Sequence, residues 1–553
     1  MSTLRQKNYL HHDRLYRLIE SIQERAQFDH PVSVFKIIET HISYILLTGS
    51  YAYKFKKPVN LGFLDFSTLE KRKFYCEEEI RLNRRLAPGI YMNVVVITGD
   101  EHHPKFGGEG TVLEYAVKMV QFSEADELER VLRNGKFEQR HVDSLAESIA
   151  VFHLDIASTG PDTPYGSPEL NRRYTIENFT HIRPALKTEK AYRDRLDNLE
   201  RWTVTELERL DRPFRDRKQQ GMVRECHGDL HVGNIAIHDG APVIFDCIEF
   251  NPELHWIDTM SEVAFLIMDL DARGCTEFSR RFLNRYLELT GDYPGLAVLR
   301  FYLVYRALVR CKIACIRLDQ AGLSRQGGVL ELEHEHKYLD LAAGYTCPAR
   351  PMLIITHGLS GSGKTTITQH LLEQLGAVRL RSDIERRRLR GTASAVSGRT
   401  TPGQGIYNES YTVQTYQYLA GTAKEVLEAG FPVIVDATFL RSRQRETFRC
   451  LAAAGGYSFS ILDFHAAEDQ LRERIKKRLS SNKDASEADL EVLDYQLSFH
   501  EPLSEAELAC TVSVDTSIVT DTDDIIRQID LKGGQTSSIS PIGETDGGVK
   551  TTG

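Results

Sequence analysis

The stretch Gly358-Leu359-Ser360-Gly361-Ser362-Gly363-Lys364-Thr365 constrains the fold of this chain more than any other. It has the spacing Gly-x-x-x-x-Gly-Lys-Ser/Thr, follows an apolar run from Met352 to Thr356, and opens a segment of helical periodicity. At ordinary glycine content a protein of this size holds on the order of a few hundredths of a chance match. The pattern works as a turn from a strand into a helix, in which backbone N–H groups converge on phosphate at the helix N-terminus. Lys364 then reaches the terminal phosphates, Thr365 offers a hydroxyl to magnesium, and Thr366 continues the cradle. Such a turn calls for strands alternating with helices. Four later runs, Val378 to Arg381, Pro432 to Val435, Ser458 to Phe464 and Thr511 to Asp515, bring the expected strands to five, in a parallel α/β sheet. Asp436 closes an apolar strand, where a carboxylate reaches the metal, and Asp383 ends the second strand as an acceptor-binding group or base. Arg474 and Arg478 share a helical face beside a polar stretch, which by itself reads as a solvated basic helix.

At 553 residues the chain exceeds what one core organises. The turn-rich segment GYTCPARP, Gly344 to Pro351, marks the boundary between residues 1–345 and 350–532. Residues 533–553, rich in Gly, Ser and Thr, read as a disordered tail. A charged fraction of 27% and a hydrophobic fraction of 41% are those of a soluble globular protein. The net charge of -9 speaks against nucleic acid or an anionic membrane as partner and for small polar substrates. Nine scattered cysteines without a Cys-x-x-Cys pair read as reduced thiols, with Cys311 and Cys315 packing on one helical face. The first residues lack the apolar core of a signal peptide, and no apolar run spans a bilayer, so a cytoplasmic protein is expected. The sequence carries no signal for an oligomeric state.

The first 345 residues centre on Glu225 to Phe250, which contains His227-Gly228-Asp229-Leu230-His231-x-x-Asn234. A turn at Asp239-Gly240 and a second apolar run ending in Asp246 follow. Phosphoryl transfer from a magnesium nucleotide needs a carboxylate near the attacking hydroxyl, plus an amide and a second carboxylate on the metal. Asp229, Asn234 and Asp246 offer these in order, and Glu249 is a possible further metal or substrate ligand. Upstream, Ile42 to Lys57 reads as two strands that place Ala52, Lys54 and Lys56 on one side. Residues 67–86 read as a helix carrying Glu79, with Glu78 as its competitor for a lysine. Two more strands are expected at Asn93 to Thr98 and Thr111 to Val120. His153, on an expected helix at 139–158, reads as a packing histidine. Asp258 and Glu262, four apart on one helical face, either support the loop by hydrogen bonds or form structural salt bridges.

The loop resembles the aminoglycoside phosphotransferase and choline kinase branch of the protein-kinase-like fold, which writes it as His-Gly-Asp-x-x-x-x-Asn. Asp246-Cys247-Ile248-Glu249 stands where Asp-Phe-Gly is otherwise found. The resemblance implies an aminoglycoside phosphotransferase type α+β fold for residues 1–345, with Asp229 catalytic and Asn234 and Asp246 on the metal. It also implies that Lys54 and Glu79 serve the nucleotide phosphates, Met119 to Phe122 the adenine, and an all-helical lobe reaching Leu341 the acceptor. The second half resembles the P-loop group of gluconate kinase, chloramphenicol phosphotransferase and polynucleotide kinase. There Gly358 to Thr366 bind the nucleotide, Thr365 and Asp436 the metal, and Asp383, Lys364, Arg474 and Arg478 act in catalysis, the two arginines from a lid over the phosphates. The whole chain resembles bacterial fusions of these two domains. It is expected to be an ATP- and Mg2+-dependent phosphotransferase with two nucleotide sites, moving the γ-phosphate to hydroxyls of small polar acceptors. The alternatives are an N-terminal regulatory pseudokinase on a P-loop kinase, and a P-loop ATPase that switches a partner.

Overall fold

Residues 36–120 build a six-stranded antiparallel sheet from β1 (Lys36–Glu39), β2 (Ser43–Leu47), β3 (Tyr51–Lys56), β4 (Tyr91–Asp100), β5 (His103–Phe106) and β6 (Val112–Val120), in the order β1-β2-β3-β6-β4-β5. Alternation gives β3 two working faces. Tyr53 and Phe55 pack with Leu15, Leu18, Ile19 and Ile22 of the helix at 14–24, which leaves Ala52, Lys54 and Lys56 on the other side. The helix Leu69–Asn83 starts at Thr68, whose side chain accepts from the Lys71 N–H, and packs on β4 and β6. It is two residues shorter at its start and three at its end than the expected 67–86. The computed structural model describes residues 14–533 apart from 25, 27, 33, 63, 187–189, 320–324, 348–350, 392–408, 482–487 and 519–520.

The segment carrying His227 to Asn234 leaves β7 (Val223–Glu225), continues through the hairpin of β8 (Ile235–His238) and β9 (Ala241–Ile244), and returns in β10 (Trp256–Asp258), which pairs with β7. Asp239 and Gly240 both have positive φ, the requirement of a two-residue hairpin turn. Helices including Gln139–Asp155, Pro168–Ile182, Thr259–Ala272, Thr276–Thr290, Leu296–Asp319 and Arg325–Thr346 complete this unit. Thr259–Ala272 is buried on almost every side and forms the middle of the helical region, so its acids Glu262 and Asp269 are buried too.

Asp258 departs from the expected pairing with Glu262 on one helical face. It ends β10 and caps the next helix, accepting from the Met260 N–H. Its two oxygens take Arg217 Nε and Nη2 at 2.7 Å each, while Asp292 takes Arg217 Nη1 and Nη2 at 2.7 and 2.8 Å. All three side chains are buried. Arg217→Met is expected to destabilise the fold by about 3–5 kcal/mol, because two buried carboxylates lose the guanidinium that bridges them. Adding Asp258→Asn should recover part of that loss. Urea unfolding of the full chain measures both, and an unchanged midpoint for Arg217→Met would contradict the assignment.

The expected break at Gly344 starts later. Helix Arg325–Thr346 runs through Gly344 and Tyr345, because Leu339 and Ala342 are buried and the Tyr345 hydroxyl donates to Asp271 at 2.7 Å. These contacts outweigh the cost of about 1 kcal/mol for an internal glycine. By its internal packing the chain divides into two units, Met1–Cys347 and Pro348–Gly553.

In the second unit β11 (Met352–His357), β12 (Val378–Arg381), β13 (Val433–Asp436), β14 (Ser458–His465) and β15 (Thr511–Asp515) form the expected five-stranded parallel sheet, ordered β12-β13-β11-β14-β15. Strand β11 is central, and the chain crosses to opposite sides of it, which opens a crevice at its C-terminal end. Asp383 is the second residue of the helix Ser382–Leu389 and not the end of a strand. The expected tail lies outside the described residues except Gly533, which ends the helix Thr522–Gly533.

Candidate active sites

Both lysines of β3 are used in the N-terminal unit. Lys54 Nζ donates to Glu79 Oε1 at 2.8 Å and to Asp246 Oδ1 at 2.6 Å. Lys56 Nζ donates to Glu79 Oε2 at 2.7 Å and to Glu249. Glu79 is therefore the helix partner, whereas Glu78 pairs with Arg81 at 2.8 Å on the outside. Glu249, considered as a free ligand, is buried on Lys56. Burial pushes the Glu79 carboxyl up, but Lys54 and Lys56 outweigh this and hold it at about 2. Burial also pulls the Lys54 ammonium down, and Asp246 and Glu79 more than restore it, so its pKa lies well above the ordinary lysine value. Three carboxylates against two ammoniums leave one surplus negative charge, at the place where a metal nucleotide is expected.

Asp246 has φ 65, a left-handed conformation that costs a non-glycine residue of order 1–3 kcal/mol. The Asp246 N–H donates to Tyr91 Oη at 3.0 Å and the Cys247 N–H to Asn83 Oδ1 at 2.9 Å, which holds the turn. The loop from His227 to Asn234 is clamped by the buried helix behind it. Glu262 accepts from the Gly228 N–H at 2.7 Å and from His153 Nε2 at 2.7 Å, and Asp269 accepts from the Val232 N–H at 3.0 Å. His153 is thus a linking residue as well as a packed one, with Tyr286 Oη at 2.9 Å from Nδ1. His153, Cys226 and Glu262 form a compact set of metal-ligand types, but the two rings of bonds just given already occupy His153 and Glu262. Gly228 has φ 88, and a Cβ there would lie 2.7 Å from the Leu254 carbonyl oxygen, so only glycine fits.

His227 Nε2–H donates to the Phe245 carbonyl at 2.9 Å and its Nδ1 accepts from the Asp229 N–H at 3.2 Å, the bonding of a neutral ring. Burial lowers its pKa accordingly. Asp229 opens into the cavity with its side chain 35% exposed. Asn234 Nδ2 donates to the Asp229 backbone carbonyl and to Oδ2, both at 3.0 Å. Burial raises the Asp229 pKa, but His231, then His227 and Arg310, hold it well below the usual carboxylate range. Asp229, Asp246, Lys54 and the segment Met119 to Phe122 line one cavity of about 1490 Å³. That exceeds the roughly 300–1,000 Å³ of a single-ligand pocket and leaves room for two.

In the C-terminal unit the glycine-rich turn is as cramped as the pattern demands. Gly358 has φ 138, and a Cβ there would meet the Phe464 carbonyl oxygen at 2.3 Å. Thr365 Oγ1 donates to Asp436 Oδ2 at 2.8 Å, and Lys364 Nζ donates to the Gly358 and Leu359 carbonyls at 3.0 and 2.8 Å. A cavity of about 760 Å³ is lined by Lys364, Thr365, Asp383, Asp436, Arg474 and Arg478, with Thr366, Ser360, Gly361 and Gly363 also on its wall. Arg474 donates to the Gly361 carbonyl at 3.3 Å and to the Thr516 carbonyl at 2.7 Å, and Arg478 to the Ala488 carbonyl at 2.5 Å. Sequence reasoning missed Gln496, whose Oε1 accepts from the Ser360 N–H at 2.9 Å, because it lies 136 positions away.

Both sites offer oxygen donors suited to Mg2+: the Asp246 carboxylate and Asn234 amide in one, the Thr365 hydroxyl and Asp436 carboxylate in the other. Burial pulls the Lys364 ammonium down to about 8, with Asp436 and Asp383 opposing. Phosphate binding favours the charged form, so nucleotide affinity at this site is expected to be full below pH 8 and to fall as pH rises through it. The slope is at most about tenfold per pH unit. Nucleotide titrations at a series of pH values, with Lys364→Ala as the flat reference, check this.

Residues 75–302 match the family model described as "Phosphotransferase enzyme family", and residues 353–503 match the one described as "AAA domain". An uncharacterized protein of Mycobacterium tuberculosis is 29% identical over 461 residues, covering 83% of this chain and 89% of its own. Among solved structures, an amicoumacin kinase in complex with AMP-PNP and Ca2+ is 14% identical, covering 62% of this chain and 96% of its own, with a TM-score of 0.37. A gluconokinase from Sinorhizobium meliloti 1021 is 20% identical, covering 34% of this chain and 94% of its own, with a TM-score of 0.24. No helix among the described residues is long and apolar enough to cross a membrane. The chain thus carries an N-terminal region that matches the phosphotransferase enzyme family and a C-terminal P-loop region that matches the AAA domain.

Proposed function

We propose that the protein is an ATP- and Mg2+-dependent phosphotransferase with two sites, each moving a γ-phosphate to a hydroxyl of a small polar acceptor. The observation that carries this is the meeting of Lys54, held from behind by Glu79, with Asp246 and Asp229 on one cavity large enough for nucleotide and acceptor together. Lys54, oriented by Glu79, holds the nucleotide phosphates, and Met119 to Phe122 receive the adenine. Asn234 and Asp246 hold the magnesium, which neutralises charge on the β- and γ-phosphates when bound. Asp229 orients the acceptor hydroxyl and takes its proton. The acceptor oxygen forms its bond to the γ-phosphorus as the bond to the β,γ-bridging oxygen breaks, and ADP leaves with that electron pair.

In the second site the backbone from Gly358 to Thr366 cradles the phosphates, and Lys364 compensates charge on the terminal ones. Thr365 and Asp436 hold the metal, Arg474 and Arg478 border the phosphates, and Asp383 faces the acceptor. Residues 1–345 and 350–532 act as separate catalytic domains in this reading, in the cytoplasm and without nucleic acid or membrane as partner. The presence of Asp229, Asn234 and Asp246 together weighs against a binding-only pseudokinase. The test is to incubate the full chain with ATP, Mg2+ and pools of metabolites and aminoglycosides, and to look for an acceptor that gains one phosphoryl group. ATP consumption without any such gain would overturn the assignment.

A further inference from the structure

The helix Leu296–Asp319 brings a line of cations to the N-terminal cavity. Arg306, Arg310, Ile313 and Arg317 follow one another at spacings of four, three and four, share a face, and line the cavity, as does Lys312. Arg306 is buried and donates to the Ser261 carbonyl at 3.2 Å and the Gly228 carbonyl at 3.3 Å, which places it next to the catalytic loop. Arg310 lies over the Tyr338 ring at 5.7 Å, and its buried Nε has no hydrogen-bond partner. Its charge is felt at Asp229. Among the described residues, Arg306, Arg310 and Lys312 enter no ion pair with a carboxylate.

The acids on the helical part of the lining differ in this respect. Glu253 is held by Arg173 and by Tyr174 Oη at 2.5 Å and Asp258 by Arg217, while Glu177 lies 3.4 Å from His181 and opposes Lys312 electrostatically. Beside Asp229 the cavity therefore presents Arg306, Arg310 and Lys312 with no carboxylate at ion-pair distance among the described residues. A guanidinium stripped of water without a counter-ion is costly, and its fork of donors matches carboxylate or phosphate oxygens. Burial also lowers the Lys312 pKa, outweighing the opposing charge of Glu177.

We propose that the acceptor of the N-terminal site is a hydroxylated anion, whose carboxylate or phosphate is held by Arg310 and Lys312 while its hydroxyl meets Asp229. This rests on the phosphotransferase reading of the same cavity. A polycationic aminoglycoside is the wrong substrate for such a wall, because like charges at this distance repel. The transfer step is the one given above, and the anionic group takes no part in its bond changes.

The test uses the full chain carrying Lys364→Ala to silence the other site, and four probes: glucuronate, glucose 6-phosphate, glucose and kanamycin. One of the two anions is expected to be phosphorylated at least about tenfold more efficiently than glucose or kanamycin, and which one tells carboxylate from phosphate. Arg310→Gln should raise the KM of that anion by about 10- to 100-fold with the KM for ATP unchanged, and Arg310→Lys should restore part of it. Lys312→Gln, at a half-buried position, gives the same sign should Arg310→Gln fail to fold. Preference for glucose or kanamycin, or an acceptor KM indifferent to both substitutions, overturns the proposal. Calorimetry with the two anions runs in parallel. Binding that depends on Arg310, without transfer to any probe, keeps the anion site and removes the phosphotransferase reading; no binding of either anion removes the anion site.

Discussion

Asp229→Asn is expected to lower phosphotransfer at the N-terminal site by about 10²- to 10⁴-fold, the usual loss for a missing general base. Nucleotide affinity should stay unchanged. The substitution keeps the shape of the side chain, and Asn234 retains its bond to the residue-229 backbone carbonyl at 3.0 Å. The groups assigned to the nucleotide, Lys54, Glu79 and Asp246, are bonded to one another and not to Asp229. The held-down pKa adds a second expectation. A carboxyl whose pKa is depressed is ionised at every pH above the ordinary carboxylate value, so the rate profile should lack an acid limb from Asp229 near neutrality. Initial rates with saturating ATP, calorimetric nucleotide titration and a pH series measure the three quantities. A wild-type rate for the variant would remove Asp229 from the mechanism.

Asp383→Asn is expected to do the same in the other half, again by about 10²- to 10⁴-fold in phosphoryl transfer. Its carboxylate shares the cavity with Lys364, Thr365 and Asp436 but belongs to a different segment, at the start of the helix Ser382–Leu389. Its ion-pair partner is Arg386 at 3.8 Å, and it bonds to none of the phosphate-cradle residues. ATP binding should therefore survive the substitution, whereas Lys364→Ala would cripple a kinase and an ATPase alike. A domain that hydrolyses ATP only to switch a partner has no acceptor to orient, so its slow turnover would be indifferent to Asp383→Asn. Unchanged turnover together with unchanged affinity would contradict the kinase assignment for this half.

The two candidate sites were legible as motifs because the groups assigned to them are written in contiguous segments. His227 to Asn234 and Gly358 to Thr365 each carry several functional groups within eight residues, and a strand-turn-helix context can be read around the second. The five parallel strands were equally plain, being short apolar runs between helical stretches. What escaped depends on contacts between distant positions. Asn83 and Tyr91, which hold the Asp246 turn, lie 164 and 155 positions from the groups they bind, and nothing local marks them. Lys54 and Lys56 were placed on one side of their strand with a role assigned only to Lys54, whereas Glu79 has two oxygens and takes both. Asp258 and Glu262 satisfied the helical spacing, but strand pairing of Trp256 with Glu225 and Asp258 with Val223 ends the strand where a helix was expected to continue. Strands β1 and β5 were missed because both sit at sheet edges, with mostly exposed residues in β1 and a proline in β5.

The central claim is transfer to an acceptor at two separable sites, and ATP labelled in its γ-phosphate tests it most directly. The full chain, its Asp229→Asn and Asp383→Asn variants and the double variant are each given labelled ATP, Mg2+ and a mixed pool of hydroxylated small molecules. The account predicts that label enters small-molecule phosphate esters, that each single variant loses one set of esters and keeps the other, and that the double variant loses both. Label found only in inorganic phosphate, at rates that neither substitution changes, would contradict it.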